Sequence, residues 1–187
     1  EINRNSSKGN NLKTTNYNKV NKDVYIHDFN KNYGTNIQNN QIKELSLRMK
    51  KLDSAIFESL GNLELNQLQI LDLSDNLISN INSIGKMQFP KLQSLSLDGN
   101  DITDITPLKN CKFPELEGLY LFNNKISDIS ILDKLDFTQL QSIFLYNNKI
   151  SDINVLSNVN FNLLESLSLY GNNISDINVL ESVNFTN

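Results

Sequence analysis

Three aspartates stand at equal spacing in the string DGNDITD: Asp98, Asp101 and Asp104. Closely spaced carboxylates are the chemistry of a calcium loop, which needs hard oxygen ligands and closes on a distal bidentate Glu. No Glu stands in a clear position to close this one, so no metal is expected. Nucleophilic catalysis has equally little to draw on. His27 is the only histidine, and any Ser-His-Asp or Cys-His arrangement would have to use it. No nucleophile motif lies near it. Cys111 is the only cysteine, so no internal disulfide can form, and it falls on an apolar position where a free cysteine is expected in the core. Asn5, Asn173 and Asn184 open N-x-S/T sequons, which chance explains in a chain whose commonest residue is Asn. The residues therefore point to no catalytic site, no metal and no cofactor.

The stronger pattern is a period. Leu68, Leu92, Leu116, Leu140 and Leu164 are spaced 24 apart, and each opens the frame LxxLxLxxNxIxxI. A fixed period of this length means stacked units, each completing its core on its neighbours. The LxxLxL part alternates, which predicts a short strand with its leucines inward. Successive strands then form a parallel sheet with a spacing of about 4.8 Å. The fifteenth residue of each regular unit is Asn82, Thr106, Ser130, Asn154 or Asn178, all good helix N-caps, with Pro107 following Thr106 as a first helical residue. Apolar pairs three apart follow, from Ile84/Met87 to Leu180/Val183, and predict a short helix with one buried face. Phe89, Phe113, Phe137, Phe161 and Phe185 close the units.

This frame also disperses the three aspartates. Asp98 belongs to the strand face, Asp101 to its exit and Asp104 to the turn. Asp104, Asp128, Asp152 and Asp176, with Asn80 in the same slot, read as turn residues that bond nearby amides. Asn76, Asn100, Asn124, Asn148 and Asn172 stack in register and are expected to pair the backbone where each strand turns away.

Outside the regular units, residues 1–23 are polar and read as an Asn-rich, flexible arm. Residues 24–41 read as an N-terminal cap segment, in which DVYIHDF alternates like a strand. The repeats then span 42–187, as one atypical 26-residue unit with Lys50 at the Asn position and five 24-residue units. Position 187 completes the last unit, so further repeats, a cap or self-association are expected at that open end. The net charge of −4 argues against nucleic acid as a partner. No apolar run approaches a membrane span, and the lone cysteine leans towards an intracellular setting.

These strings resemble the leucine-rich repeat superfamily, most closely the class of the internalins and the leucine-rich regulatory subunit of protein phosphatase 1. The resemblance implies an α/β solenoid: a curved right-handed coil with a concave parallel sheet and short convex helices. It also implies non-catalytic binding of another protein on the concave face.

On that face the frame leaves residue choice free. One column runs Asp72, Ser96, Tyr120, Phe144, Ser168, and the next runs Ser74, Asp98, Phe122, Tyr146, Tyr170. Tyr120, Phe122, Phe144, Tyr146 and Tyr170 are therefore expected to form one patch of rings left in water, a mark of an interface. Asp72, Asp75, Asp98 and Asp101 make the earlier repeats acidic, and Lys125 and Lys149 are expected along one edge of the rings. The reading is a protein-interaction module. Its alternatives are a fixed segment of a larger scaffold, or regulatory repeats of a longer protein whose enzyme domain lies elsewhere.

Overall fold

A computed structural model describes residues 29–32, 37, 41–160, 162–181 and 183. The chain divides into two units, residues 1–37 and 38–187. Of the first, residues 29–32 form a helical turn, and the Asn30 side chain brackets Ile37 by accepting from its N–H at 2.8 Å and donating to its carbonyl at 3.0 Å. The polar arm and nearly all of the strand expected at DVYIHDF lie outside the described residues. Only Phe29 of that string is described, and it opens the helical turn instead.

The second unit is a parallel sheet whose strands pair in chain order: β1 (Glu44–Ser46), β2 (Ile70–Asp72), β3 (Ser94–Ser96), β4 (Gly118–Tyr120), β5 (Ser142–Phe144) and β6 (Ser166–Ser168). The strands are in strict register, so Leu45, Leu71, Leu95, Leu119, Ile143 and Leu167 form one inward column. Of these, Leu45 to Ile143 are buried. The frame's other apolar residues, such as Leu73, Ile78 and Ile81 in the first regular unit, are buried with them. In the last unit the same positions open up, and Ile177 is 63% exposed. Three of the phenylalanines at the unit ends stack as a spine: Phe89, Phe113 and Phe137 lie with centroids 6.4 and 6.5 Å apart and rings within 17° of parallel, whereas Phe161 and Phe185 lie outside the described residues.

The return legs differ from the expected helices. Among the described return legs, that of the atypical first unit alone is an α-helix, α1 (Ser54–Leu60), with Asp53 as its N-cap. The regular units have 3-10 turns of four or five residues, Asn82–Lys86, Thr106–Asn110, Ser130–Lys134, Asn154–Ser157 and Asn178–Glu181. An apolar spacing of three suits the 3-10 pitch of three residues per turn, and so short a leg gains little from the α form. The expected N-caps are therefore displaced. Asn82, Thr106, Ser130, Asn154 and Asn178 are the first residues of the turns, and the residue before each of the first four makes no side-chain cap bond. Capping falls to the turn column two residues earlier. Asn80, Asp104, Asp128, Asp152 and Asp176 each accept from the amide two residues on, at 2.8–2.9 Å. At Asp128 these bonds from Ser130 hold the carboxyl below the usual aspartate range.

The Asn column joins one unit to the next. Asn124 Oδ1 accepts from the Ile102 amide of the preceding unit at 2.9 Å. Its Nδ2 donates to Leu97 O of that unit at 3.0 Å and to Leu121 O and Phe122 O of its own at 3.1 and 3.2 Å. Asn76, Asn100, Asn148 and Asn172 repeat this scheme. The residue just before each Asn is left-handed: Asp75, Gly99, Asn123, Asn147 and Gly171 have φ of 53–67°. These are the residue types that tolerate that conformation. In the first unit the same bend is carried by Met49 (φ 56°) and Lys51 (φ 57°) around Lys50, and Asn76 Oδ1 takes both the Lys50 and Leu52 amides.

Asn124→Ala would leave buried backbone groups of two units unpaired. It should destabilise the fold by roughly 1–3 kcal/mol, read as a lower urea midpoint with an unchanged slope.

Candidate functional site on the exposed sheet face

The aromatic residues are presented by three adjacent strands, with Tyr120 ending β4, Phe144 ending β5, and Phe122, Tyr146 and Tyr170 two residues beyond the ends of β4, β5 and β6. Residues two apart on a strand share a face, and Leu119, Leu121, Ile143 and Leu145 fill the core side. The structure brings all five rings together. Tyr120 meets Phe144 edge-on, 5.3 Å between centroids at 76°. Phe122, Tyr146 and Tyr170 form a face-to-face stack at 4.3 and 4.5 Å, each pair within 9° of parallel. Phe144 and Tyr146, 6.5 Å apart, link the two columns.

The expectation that the rings are simply left in water needs correction. Tyr120, Phe122, Phe144 and Tyr146 are half-buried, and only Tyr170, at 64%, is largely exposed. In-register strands bring the rings to stacking distance, where each hides a face of the next. Tyr120 also folds back along its own strand over Gly118, where an added Cβ would lie 2.8 Å from Tyr120 Oη. Glycine leaves room for the ring to lie there; a side chain at 118 would push the flexible Tyr120 ring aside. The Tyr146 phenol is held above its usual range, first by burial and then by Tyr170 and Asp98.

Beside the rings, Arg48, Asp72, Ser74, Ser96 and Asp98 complete a shallow concavity of about 410 Å³ walled by Tyr120, Phe122, Phe144 and Tyr146. Of the expected acidic residues, two are matched by cations. Arg48 closes on Asp75 at 2.8 Å, and Lys125 on Asp101 at 2.6 Å. Asp72 accepts from Ser74 N at 3.0 Å, Ser74 Oγ at 2.6 Å and Ser46 Oγ at 3.0 Å. Lys125 and Lys149 lie one residue past the Asn column, beyond the strand face, and neither lines the concavity. Arg48, Ser74 and Ser96 do line it without having been singled out from the sequence, although they occupy the same two columns as the rings.

Asp98 differs from the other carboxylates. It is 9% exposed, and the hydrogen bond acting on its carboxylate is from its own backbone N–H. No other donor among the described residues reaches it. Burial pushes its pKa up to about 6, and the carboxylates of Asp72 and Asp75 add to the rise against the opposing pull of Arg48. The three aspartates of DGNDITD thus have separate tasks: Asp98 faces the concavity, Asp101 pairs with Lys125 and Asp104 caps the Thr106 amide. Among the described residues, no group of three or more His, Cys, Asp or Glu is placed to hold a metal ion. Cys111 is half-buried rather than fully enclosed, with its thiol pushed up to about 12 by burial, which leaves little nucleophilic thiolate at neutral pH. Asn173 is exposed, whereas His27, Asn5 and Asn184 lie outside the described residues. No described helix is long and apolar enough to cross a membrane.

The buried, unmatched Asp98 carboxylate should oppose folding at neutral pH. Its folded pKa lies above that of an unfolded aspartate, so the folded state binds the proton more tightly between about pH 4 and pH 6. Stability then falls as pH rises through that window, and the penalty is complete at pH 7. Asp98→Asn should raise stability at pH 7 by roughly 1–3 kcal/mol, and urea titrations at pH 7 and pH 5 should show that gain shrinking at the lower pH.

The Leucine Rich repeats (2 copies) family model matches residues 66–110, 90–134 and 114–158, each match starting 24 residues after the last, in phase with the strands. Among solved structures, an internalin (inlF) from Listeria monocytogenes is similar over 67% of this chain and 34% of its own, at 31% identity with a TM-score of 0.55. A leucine-rich repeat protein of Leptospira interrogans is similar in fold, at 23% identity with a TM-score of 0.55, over 67% of this chain and 31% of its own. The leucine-rich repeat ectodomain of the Arabidopsis thaliana membrane receptor kinase GASSHO1/SCHENGEN3, in complex with Casparian strip integrity factor 2, covers 70% of this chain and 16% of its own at 26% identity with a TM-score of 0.53. The chain thus spans about a third or less of the length of these three proteins. A search of curated proteins found no match. With a family model in phase with the observed strands and an internalin of the same fold, the chain is a leucine-rich repeat protein of the internalin-like class.

Proposed function

We propose that this chain is a non-catalytic protein-interaction module that docks a partner protein on the exposed face of its sheet. The observation that carries the reading is the ring ladder. The repeat frame does not require aromatics at these positions, since Asp72, Ser74, Ser96 and Asp98 occupy the same two columns in earlier units. The later units nevertheless place five rings there in mutual contact. Rings already stacked lose little rotamer freedom when a partner covers them, so more of the buried apolar area is converted into affinity. The similar Arabidopsis ectodomain, whose structure is a complex with an integrity factor, supports a binding role for repeats of this kind.

Photo-crosslinking residues at Ser96 and Ser168, on the sheet face, should trap a partner that the same residue at Lys134 on a return leg does not. Phe144→Ala and Tyr146→Ala should each weaken its binding by about 2 kcal/mol, the size of an interface anchor, as measured by calorimetry. Ser168→Ala should change it little. Equal trapping from Lys134, or wild-type affinity in both aromatic variants, would reject the docking face.

A further inference from the structure

We propose that the concavity beside Asp98 is a socket for an arginine side chain of the docked partner. Its guanidinium would lie on the face of Phe122 that Tyr146 leaves uncovered and pair with the Asp98 carboxylate. The inference rests on the docking reading above and adds the chemistry of the group that is docked.

The charges around the concavity do not balance. Asp75 is matched by Arg48 at 2.8 Å and Asp101 by Lys125 at 2.6 Å. Asp72 takes donors from Ser46 and Ser74 on both of its oxygens. Asp98 is buried, lines the concavity, and has no donor among the described residues beyond its own amide. Arg48 lines the same concavity, but its guanidinium is engaged by Asp75. A buried carboxylate facing an open concavity calls for a cation from outside.

The rings decide which cation. Phe122 follows Asp98 in the next unit of the same column and stacks on Tyr146 at 4.3 Å. Aromatic faces attract a cation through the ring quadrupole. A guanidinium is planar enough to lie on a ring, carries a fork of donors for a carboxylate, and is weakly hydrated, so it loses little on entering. A lysine ammonium is compact and strongly hydrated, and it gains less from the same walls. Binding should also respond to pH. The groups facing Asp98 are Asp72 and Asp75, which disfavour its charge, Arg48, which favours it, and the Tyr146 phenol. Pairing with guanidinium needs the ionised carboxylate, so affinity should rise from pH 5 to pH 7.

The test uses the peptide acetyl-Gly-Arg-Gly-amide, with its neutral citrulline and its lysine counterparts, titrated into the chain and followed by amide NMR. The expected result is a saturable shift around Asp98, Phe122 and Tyr146, with citrulline and lysine peptides at least tenfold and severalfold weaker. Asp98→Asn should lose at least tenfold in affinity without a drop in melting midpoint, and with it the pH dependence. Phe122→Leu, which keeps the apolar bulk but not the π-face, should lose severalfold. Equal binding of the citrulline or lysine peptide, shifts mapping elsewhere, or unchanged affinity in Asp98→Asn would overturn the socket. If Asp98→Asn is neutral while Phe144→Ala still weakens the trapped partner, the socket fails and the docking face stands; if neither matters, both fail.

Discussion

The bend at the end of each strand is the constraint on which the rest depends. The chain must leave the sheet while its backbone amides and carbonyls are still buried, and buried backbone groups without partners are costly. One asparagine side chain in each regular unit meets this need. It accepts from an amide of the preceding unit and donates to carbonyls of both units. A left-handed residue just before it turns the backbone into reach. Because the bond set spans two units, it also sets the height of one unit on the next.

Strict register has a second consequence, on the far face of the sheet. When every unit is aligned to its neighbour, a residue type repeated at one position becomes a continuous column. Inward, the columns are leucine and isoleucine and make the core. Outward, they are unconstrained by the core, and in β4 to β6 they become rings in contact. The ladder is therefore both partly structural and preformed for binding: its members shield one another, yet present their remaining apolar surface in fixed positions. The acidic end of the same columns ends in a carboxylate that the fold does not neutralise. A sequence that is locally consistent elsewhere departs from consistency at Asp98, and such departures gather at functional sites.

The exposed ion pairs contribute little to this picture energetically. Arg48–Asp75, Lys86–Glu58 and Lys125–Asp101 join side chains at or near the surface, where pairs of this kind are worth at most about 1 kcal/mol. Their effect is on charge distribution. By matching Asp75 and Asp101, they leave the field of the concavity to Asp72 and Asp98.

Much of this was legible in the residues alone. The 24-residue period determined the parallel sheet, its inward leucines, the Asn column and the membership of the aromatic columns, because in a repeat each position has one environment and periodicity reports it directly. The left-handed column was legible too, as Asp75, Gly99, Asn123, Asn147 and Gly171 are turn-tolerant types, but it is recognised only once the bend is known. What the sequence could not supply depended on neighbours in space. A spacing of three fits both α and 3-10 pitch, and the short leg decided for 3-10, which moved capping from Thr106 and its counterparts to the Asp104 column. Lys125 stood near the rings in sequence, and only the fold turned it to Asp101. Above all, carboxylates alike in sequence were separated by their surroundings: Asp75 gained an arginine, Asp72 gained hydroxyls and an amide, and Asp98 gained burial. Burial and charge pairing are properties of assembled units, and so the tertiary structure alone decided them.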